Sequence, residues 1–198
     1  MTISSRDSFN AEVRQLKPTQ EMDDWPLRLF LAIRASQRSL GESDPLCKLK
    51  RQRNTLRRVG DALWCVTELS AGCPMAPSLR KRVLDGVNAA NALFDDVHYG
   101  PNDLDLPIGD TNPASSVRAT MMAAFCVIFW LESSSNMDAS SRDESANAFH
   151  DHIDTAMRTG HPLDSDVSLA RTYDWSGAIE HTVMTDEDGL LCLADTSP

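Results

Sequence analysis

Apolar residues recur every three to four positions along most of residues 1–160 of this 198-residue chain. That spacing is the period of an α-helix with one buried face, and it argues against a β-sheet as the main architecture. Apolar residues make up 41% of the chain, which is enough for a substantial core. The pattern therefore predicts a mainly α-helical domain over residues 1–160, followed by an acidic extension over residues 161–198.

Residues that start and stop helices divide this domain into one short helix and five longer ones. For example, Asp24 and Pro26 suit the start of the second helix, and Ser141 and Glu144 form a capping-box pattern at the start of the last. The predicted spans are Ser8–Leu16, Trp25–Leu40, Leu46–Ala71, Ser78–Val97, Pro113–Ser133 and Arg142–Thr159. We expect them to form an antiparallel bundle of five or six helices.

The most apolar segment is Ala119–Leu131, which Thr120 alone interrupts. A helix that crosses a bilayer needs about 20 apolar residues, so we expect no membrane span here. A helix that is apolar nearly all round is typical of the centre of a bundle. We therefore predict that this segment is the core helix, flanked by the apolar stripes of the third, fourth and sixth helices.

The helix Trp25–Leu40 is apolar on more than one side. We expect it to be buried on two sides, either within the chain or in a homodimer. In the extension, residues 179–185 and 190–194 flank an Asp-Glu-Asp-Gly turn and could form a β-hairpin; an extended tail is the alternative. Trp175 either anchors this extension to the domain or contacts a partner.

Charge is segregated along the chain. Residues 48–82 carry nine basic and two acidic side chains, whereas residues 83–198 carry four basic and twenty acidic ones. The cations of the first segment form a candidate basic patch on two successive predicted helices, with the members Lys50, Arg51, Arg57, Arg58, Arg80, Lys81 and Arg82. Such a patch can be a solvated or internally paired surface, a site for an acidic protein, or a phosphate-binding site for nucleic acid.

The overall charge of −10 argues against nucleic acid, because it repels a polyanion at long range. The acidic half instead favours a protein partner with a basic surface, since segregated charge steers specific docking. The candidate protein-binding residues are Asp103, Asp105, Asp110, Trp175, Asp186, Glu187 and Asp188.

Sequence motifs for catalysis or cofactor binding are missing from the chain. It has no G-x-S-x-G, no Walker A loop, no G-x-G-x-x-G and no C-x-x-C pair, so we assign no catalytic, cofactor or metal residue. His150 and His152 are two residues apart and point to different sides of a helix, unlike zinc ligands. An enzyme remains an alternative, as a hydrolase with a site near His150 and the loop of residues 99–112.

The five cysteines form no pattern of paired spacings and are typical of reduced thiols in a cytoplasmic protein. The N-terminal residues lack the basic and apolar segments of a secretory signal, which also favours the cytoplasm. We therefore expect a non-enzymatic protein that binds another protein. An inhibitor, an immunity-type protein, or a regulator of a secretion, conjugation or defence system fits this description, and a nucleic-acid-associated regulator is the second alternative.

Overall fold

A computed structural model describes Met22 and residues 25–41, 53–70, 75–99, 113–160, 166, 184–185 and 191–192. Within these residues the protein is mainly α-helical, as predicted. The five helices are α1 (Trp25–Gly41), α2 (Arg53–Ser70), α3 (Pro77–Tyr99), α4 (Pro113–Ser133) and α5 (Ala139–Thr159), and Ser134–Asn136 form a single 3-10 turn after α4. The predicted helix Ser8–Leu16 lies outside the described residues.

Helix α4 packs against all four of the other described helices, most extensively against α5, α3 and α1. Helices α1 and α4 run antiparallel where they pack together. Thr120 of α4 bonds the Ala32 carbonyl of α1, whereas Ser116, earlier in α4, bonds Ser36, which is later in α1. The same holds for α3 and α4, where Arg80 bonds Glu132 and Asn91 bonds Arg118. Neighbouring helices that pack side by side in this way bury their apolar stripes against one another.

Three hydroxyl groups join α1 to α4 inside the core. Ser36 Oγ lies 2.6 Å from Thr120 Oγ1 and 2.9 Å from Ser116 Oγ, and all three residues are fully buried. Ser116 Oγ donates to the Ala156 carbonyl of α5 at 2.9 Å. Thr120 Oγ1 donates to the Ala32 carbonyl of α1 at 3.2 Å, so Ser36 Oγ can donate to either of the other two hydroxyls and each hydroxyl proton has an acceptor, as buried polar groups require.

Helix α1 is buried along its length, from Arg28 to Ser39. This burial on more than one side agrees with the prediction made from its apolar pattern. The buried residues of α1 include Arg28, Arg34 and Arg38, which the apolar pattern did not predict to be buried. Asp166 accepts hydrogen bonds from Arg34 Nε at 3.3 Å and Arg38 Nη2 at 2.5 Å, and its own side chain is 1% exposed. Asp166 thus ties the beginning of residues 161–198 to the helical domain, since a buried charge needs a paired charge.

Helices α2 and α3 approach closely at Gly86. A Cβ atom at this position would overlap the Ala62 Cβ and lie 3.1 Å from Met121 Cε. Only glycine therefore allows the two backbones to pack at this distance. The buried stripe of α2 includes Val59, Leu63 and Val66, which are four and three positions apart along the helix.

The start of α5 differs from the prediction. The capping-box pattern placed the cap at Ser141, but the helix begins at Ala139 and the cap is Asp138, whose carboxylate accepts from Ser141 N at 2.8 Å. A carboxylate at the N-cap satisfies a free N–H and favours the helix dipole, so it starts the helix three residues earlier. This bond also lowers the pKa of Asp138. The predicted stripe of α5 is confirmed, and its buried members are Ala146, Phe149, Ile153, Ala156 and Met157.

Helix α4 is less enclosed than its composition predicted. Its inner side is buried, but Phe125, Phe129 and Leu131 are 38%, 47% and 47% exposed. The stretch Ala114–Asn136 is long and apolar enough to cross a membrane by length and composition, and a little over half of its most apolar part is buried in the fold. A core helix of a soluble protein meets the same criterion, so this feature alone does not place the chain in a membrane.

Two short strands are described in the extension, β1 (Met184–Thr185) and β2 (Leu191–Cys192). They pair antiparallel, with Met184 opposite Cys192 and Thr185 opposite Leu191. β2 contacts α1 and α2. The rest of the predicted hairpin lies outside the described residues.

Candidate functional site

A cavity of about 380 Å³ opens between α3, α4 and α5. Cavities of this size are typical of small-molecule sites, which begin at about 300 Å³. Its polar lining comes from all three helices and consists of His98, Ser115, Arg118, His152, Thr155 and Thr159. Because α3 and α4 run antiparallel, the end of one meets the start of the other here.

Arg118 is held over the cavity by two groups of α3. Its Nε donates to Asn91 Oδ1 at 2.9 Å, and its guanidinium carbon lies 4.6 Å from the centroid of the Phe94 ring. A cation over an aromatic face at this distance is attracted by the ring quadrupole. These contacts use one of the guanidinium's five N–H donors, so both terminal nitrogens keep their N–H groups for a ligand.

Two histidines face the same cavity. His98 stacks on Phe94 with ring centroids 4.7 Å apart, and its buried Nδ1 has no hydrogen-bond partner within the described part of the chain. His152 lies on α5 and is partly buried. Burial lowers the pKa of the His152 imidazole. The negative charge of Asp151 raises this pKa, and the positive charge of Arg118 lowers it further. His152 is therefore held in its neutral form at neutral pH, in which one ring nitrogen can donate a hydrogen bond and the other can accept one.

Hydroxyl groups and apolar side chains complete the lining. Thr159 Oγ1 already donates to the Thr155 carbonyl at 2.8 Å. Ser115 lies in the first turn of α4, where the helix dipole favours a negative charge. Phe94 and Met122 contribute apolar surface to the same space. The cavity thus combines a cation, two imidazoles and hydroxyls with an apolar wall.

The basic patch is only partly described, because Lys50 and Arg51 lie outside the described residues. Arg57, Arg58, Arg80 and Lys81 are exposed. Two of its cations pair with the chain's own acids. Arg80 Nε lies 2.7 Å from Glu132 Oε1, and Arg82 Nε donates to Asp61 Oδ2 at 2.9 Å. These pairs reduce the charge that a polyanion would meet.

The predicted protein-binding residues all lie outside the described residues: Asp103, Asp105, Asp110, Trp175, Asp186, Glu187 and Asp188. His150, the centre of the predicted alternative enzyme site, does not line the cavity. Its ring meets Phe149 edge to face at 5.3 Å, and neither ring nitrogen has a hydrogen-bond partner among the described side chains. His150 and His152 thus face different surroundings, as their spacing predicted.

Metal ligands are not gathered in the described part of the chain, where no three His, Cys, Asp or Glu side chains form a group. Two free cysteines are described, Cys65 in the core and the partly buried Cys126. Burial raises the pKa of Cys126 to about 11. Its thiol is therefore protonated at neutral pH and is a poor nucleophile.

Sequence reasoning missed the cavity. Phe94 and His98 are four residues apart and share a face of α3, which is a signal that sequence alone offers. Arg118 and His152 come from two other helices, and nothing in their local sequence connects them. Their meeting depends on how α3, α4 and α5 pack.

The described residues define a mainly α-helical protein with a cationic cavity large enough for a small molecule. Comparisons with protein-family models, with curated proteins and with solved structures found no significant match to the chain.

Proposed function

We propose that the protein is non-enzymatic and acts by binding another protein. An inhibitor, an immunity-type protein, or a regulator of a secretion, conjugation or defence system is the role we favour. One structural observation carries this proposal: α4 presents aromatic side chains to solvent beside α5, which carries four exposed acidic side chains. The segregated charge of the chain supports it, because complementary charge gives specific docking.

The exposed aromatic surface consists of Phe125 and Phe129, with the partly buried Met122 beside them on the same side of α4; we call these three residues the aromatic face. These residues are spaced by three and four positions, so they lie on one side of α4. Ser116 and Thr120 occupy the opposite side and bond α1. Large aromatic side chains in the centre of an interface often supply most of its binding energy.

The helices beside the aromatic face carry exposed acids. On α5 these are Asp143, Glu144, Asp151 and Asp154, and on α3 Asp95 is exposed, whereas Asp85 lies on the side of α3 next to α2. An apolar centre with a charged rim is the usual composition of a protein interface. The partner we propose therefore has an apolar groove or pocket surrounded by basic side chains. The acidic residues of 103–110 and 186–188 would extend this acidic rim.

The wider arrangement is part of the proposal. The five described helices would form one antiparallel bundle, and residues 161–198 would pack on it as a hairpin-containing extension anchored by Asp166. The protein would act in the cytoplasm. The basic patch would be an internally paired surface, since Arg80 and Arg82 already bond acids of the chain. That pairing makes the nucleic-acid alternative the weaker one, and the position of His150 away from the cavity weakens the hydrolase alternative.

The experiment compares affinity capture by the tagged full chain, by a Phe125→Ser/Phe129→Ser variant and by a Tyr99→Ser control. Tyr99 is 78% exposed and lies outside the aromatic face, so its loss matches the change in exposed aromatic surface. A partner must be captured by the wild type and the control and lost by the double variant. The purified pair should then bind about 30-fold more weakly with the double variant, as expected for hot-spot residues.

Charge is tested on the same purified pair. Reversal of Asp143 and Glu144 should slow association at low salt, and added salt should slow association of the wild type. Equal affinity for the wild type and the double variant would contradict the aromatic face as the binding surface. Association rates independent of salt would contradict the acidic rim.

A further inference from the structure

We propose that the cavity between α3, α4 and α5 binds a small organic oxyanion, a phosphate monoester or carboxylate carried on a compact aromatic or apolar body. The inference goes beyond protein binding and does not depend on it. It rests on the groups that line one half-open cavity from three separate helices.

Arg118 supplies the charge for the oxyanion. Asn91 and Phe94 orient its guanidinium from α3, while its two terminal nitrogens have no hydrogen-bond partner among the described residues. A planar guanidinium donates two parallel hydrogen bonds to a carboxylate or phosphate. Its orientation before binding lowers the entropic cost of that contact.

The histidines supply further donors from two different helices, α3 and α5. His98 Nδ1 is buried and unpartnered within the described chain, and an unsatisfied buried nitrogen is costly. His98 also lines the cavity together with Arg118, where its ring can donate a hydrogen bond to an oxyanion. His152 reaches the same space from α5, and protonation in the presence of an anion would add a second positive charge next to Arg118.

The apolar wall determines the rest of the ligand. Phe94 and Met122 line the cavity beside the cation. A volume of about 380 Å³ accommodates a ring or a short chain with its anionic group but excludes a folded partner. The ligand class is therefore a small amphipathic anion.

The test uses isothermal titration of the purified full chain with phenyl phosphate, benzoate, inorganic phosphate and phenol. Saturable binding of phenyl phosphate or benzoate, with much weaker binding of phenol, supports the oxyanion site. The tighter of the two aromatic anions identifies the anionic group. Arg118→Gln should weaken binding at least about 10-fold, as expected for a lost charged hydrogen bond. Arg142→Gln, which removes the same charge at an exposed site on α5, is the matched control.

Imidazole resonances of the wild type give a second measurement that needs no variant. Phenyl phosphate should shift the signals of His98 and His152 and leave that of His150, which lies outside the cavity. Equal affinity for phenol and phenyl phosphate, or no saturable binding of either anion, would overturn the proposal. Equal weakening by Arg142→Gln and Arg118→Gln would also overturn it, because binding would then reflect overall charge only.

Discussion

The guanidinium carbon of Arg118 lies 4.6 Å from the centroid of the Phe94 ring, although the two residues belong to different helices. Phe94 also stacks on His98 at 4.7 Å. One ring of α3 thereby positions both a cation of α4 and an imidazole of its own helix. The geometry of the cavity consequently depends on the packing of α3 against α4.

Replacement of Phe94 by leucine should test this dependence. Leu keeps an apolar side chain but removes the aromatic face, so we expect a loss of about 0.5–1 kcal/mol in the free energy of unfolding for the exposed cation–π contact. Phenyl phosphate binding should weaken several-fold, because Arg118 and His98 would no longer be oriented. Denaturant unfolding and titration calorimetry measure the two effects. Unchanged affinity would show that the ring does not organise the site.

Stability should fall in mild acid because of His152. Burial lowers the pKa of this imidazole in the folded protein below its ordinary value of 6.5, so the unfolded chain binds the proton more readily. Above pH 6.5 the imidazole is neutral in both states, so His152 does not reduce the free energy of unfolding. As the pH falls below 6.5 the unfolded chain binds the proton first, and the free energy of unfolding decreases. The groups that act on His152 are Asp151 on its own helix and Arg118 on α4, with His98 facing it from α3.

The measurement is the free energy of unfolding at pH 7.5 and 5.5, for the wild type and for His152→Gln. The variant should lose less stability than the wild type over this interval. Saturating phenyl phosphate should reduce the difference, because a bound anion favours the protonated imidazole. An equal loss in both proteins would assign the acid sensitivity to other groups.

Gly86→Ala should destabilise the protein although alanine is the better helix former. The added Cβ would overlap that of Ala62, and overpacking of a core typically costs about 1–3 kcal/mol, against a gain of about 1 kcal/mol in helix propensity. Ala62→Gly in the same chain should recover part of the loss by removing the opposing methyl group. A double-mutant cycle measures this coupling. Additive effects would show that the cost of the added Cβ does not come from the Ala62 methyl group.

Loss of Asp166 should be far more costly than loss of a surface acid. Asp166→Ala leaves the buried guanidinium groups of Arg34 and Arg38 without this carboxylate, and broken buried pairs typically cost about 3–5 kcal/mol. Glu132→Gln breaks the Arg80 pair, whose side chains are 46% and 39% exposed, and should cost less than about 1 kcal/mol. Denaturant unfolding compares the two variants. Similar losses would indicate that Asp166 does not anchor the extension.

The helices themselves could be predicted from local patterns. The spacing of Phe149, Ile153 and Met157 identified the buried side of α5, and Pro113 marked the start of α4 correctly. The start of α5 was misplaced because Ser141 and Asp138 are both good caps, and the choice depends on which side chain reaches a free N–H. The exposure of Phe125 was also missed, because composition shows how apolar a helix is but not which sides its neighbours cover.

By itself the sequence determined the helical class, most helix boundaries and the segregation of charge, because these depend on residues that are near neighbours along the chain. Only the tertiary structure decided that Arg118, His98 and His152 share a cavity, that Gly86 meets Ala62, and that Asp166 pairs with Arg34 and Arg38. Those contacts join residues separated by many turns of helix. Their geometry is determined by which helix faces pack together, and local periodicity carries no information on that choice.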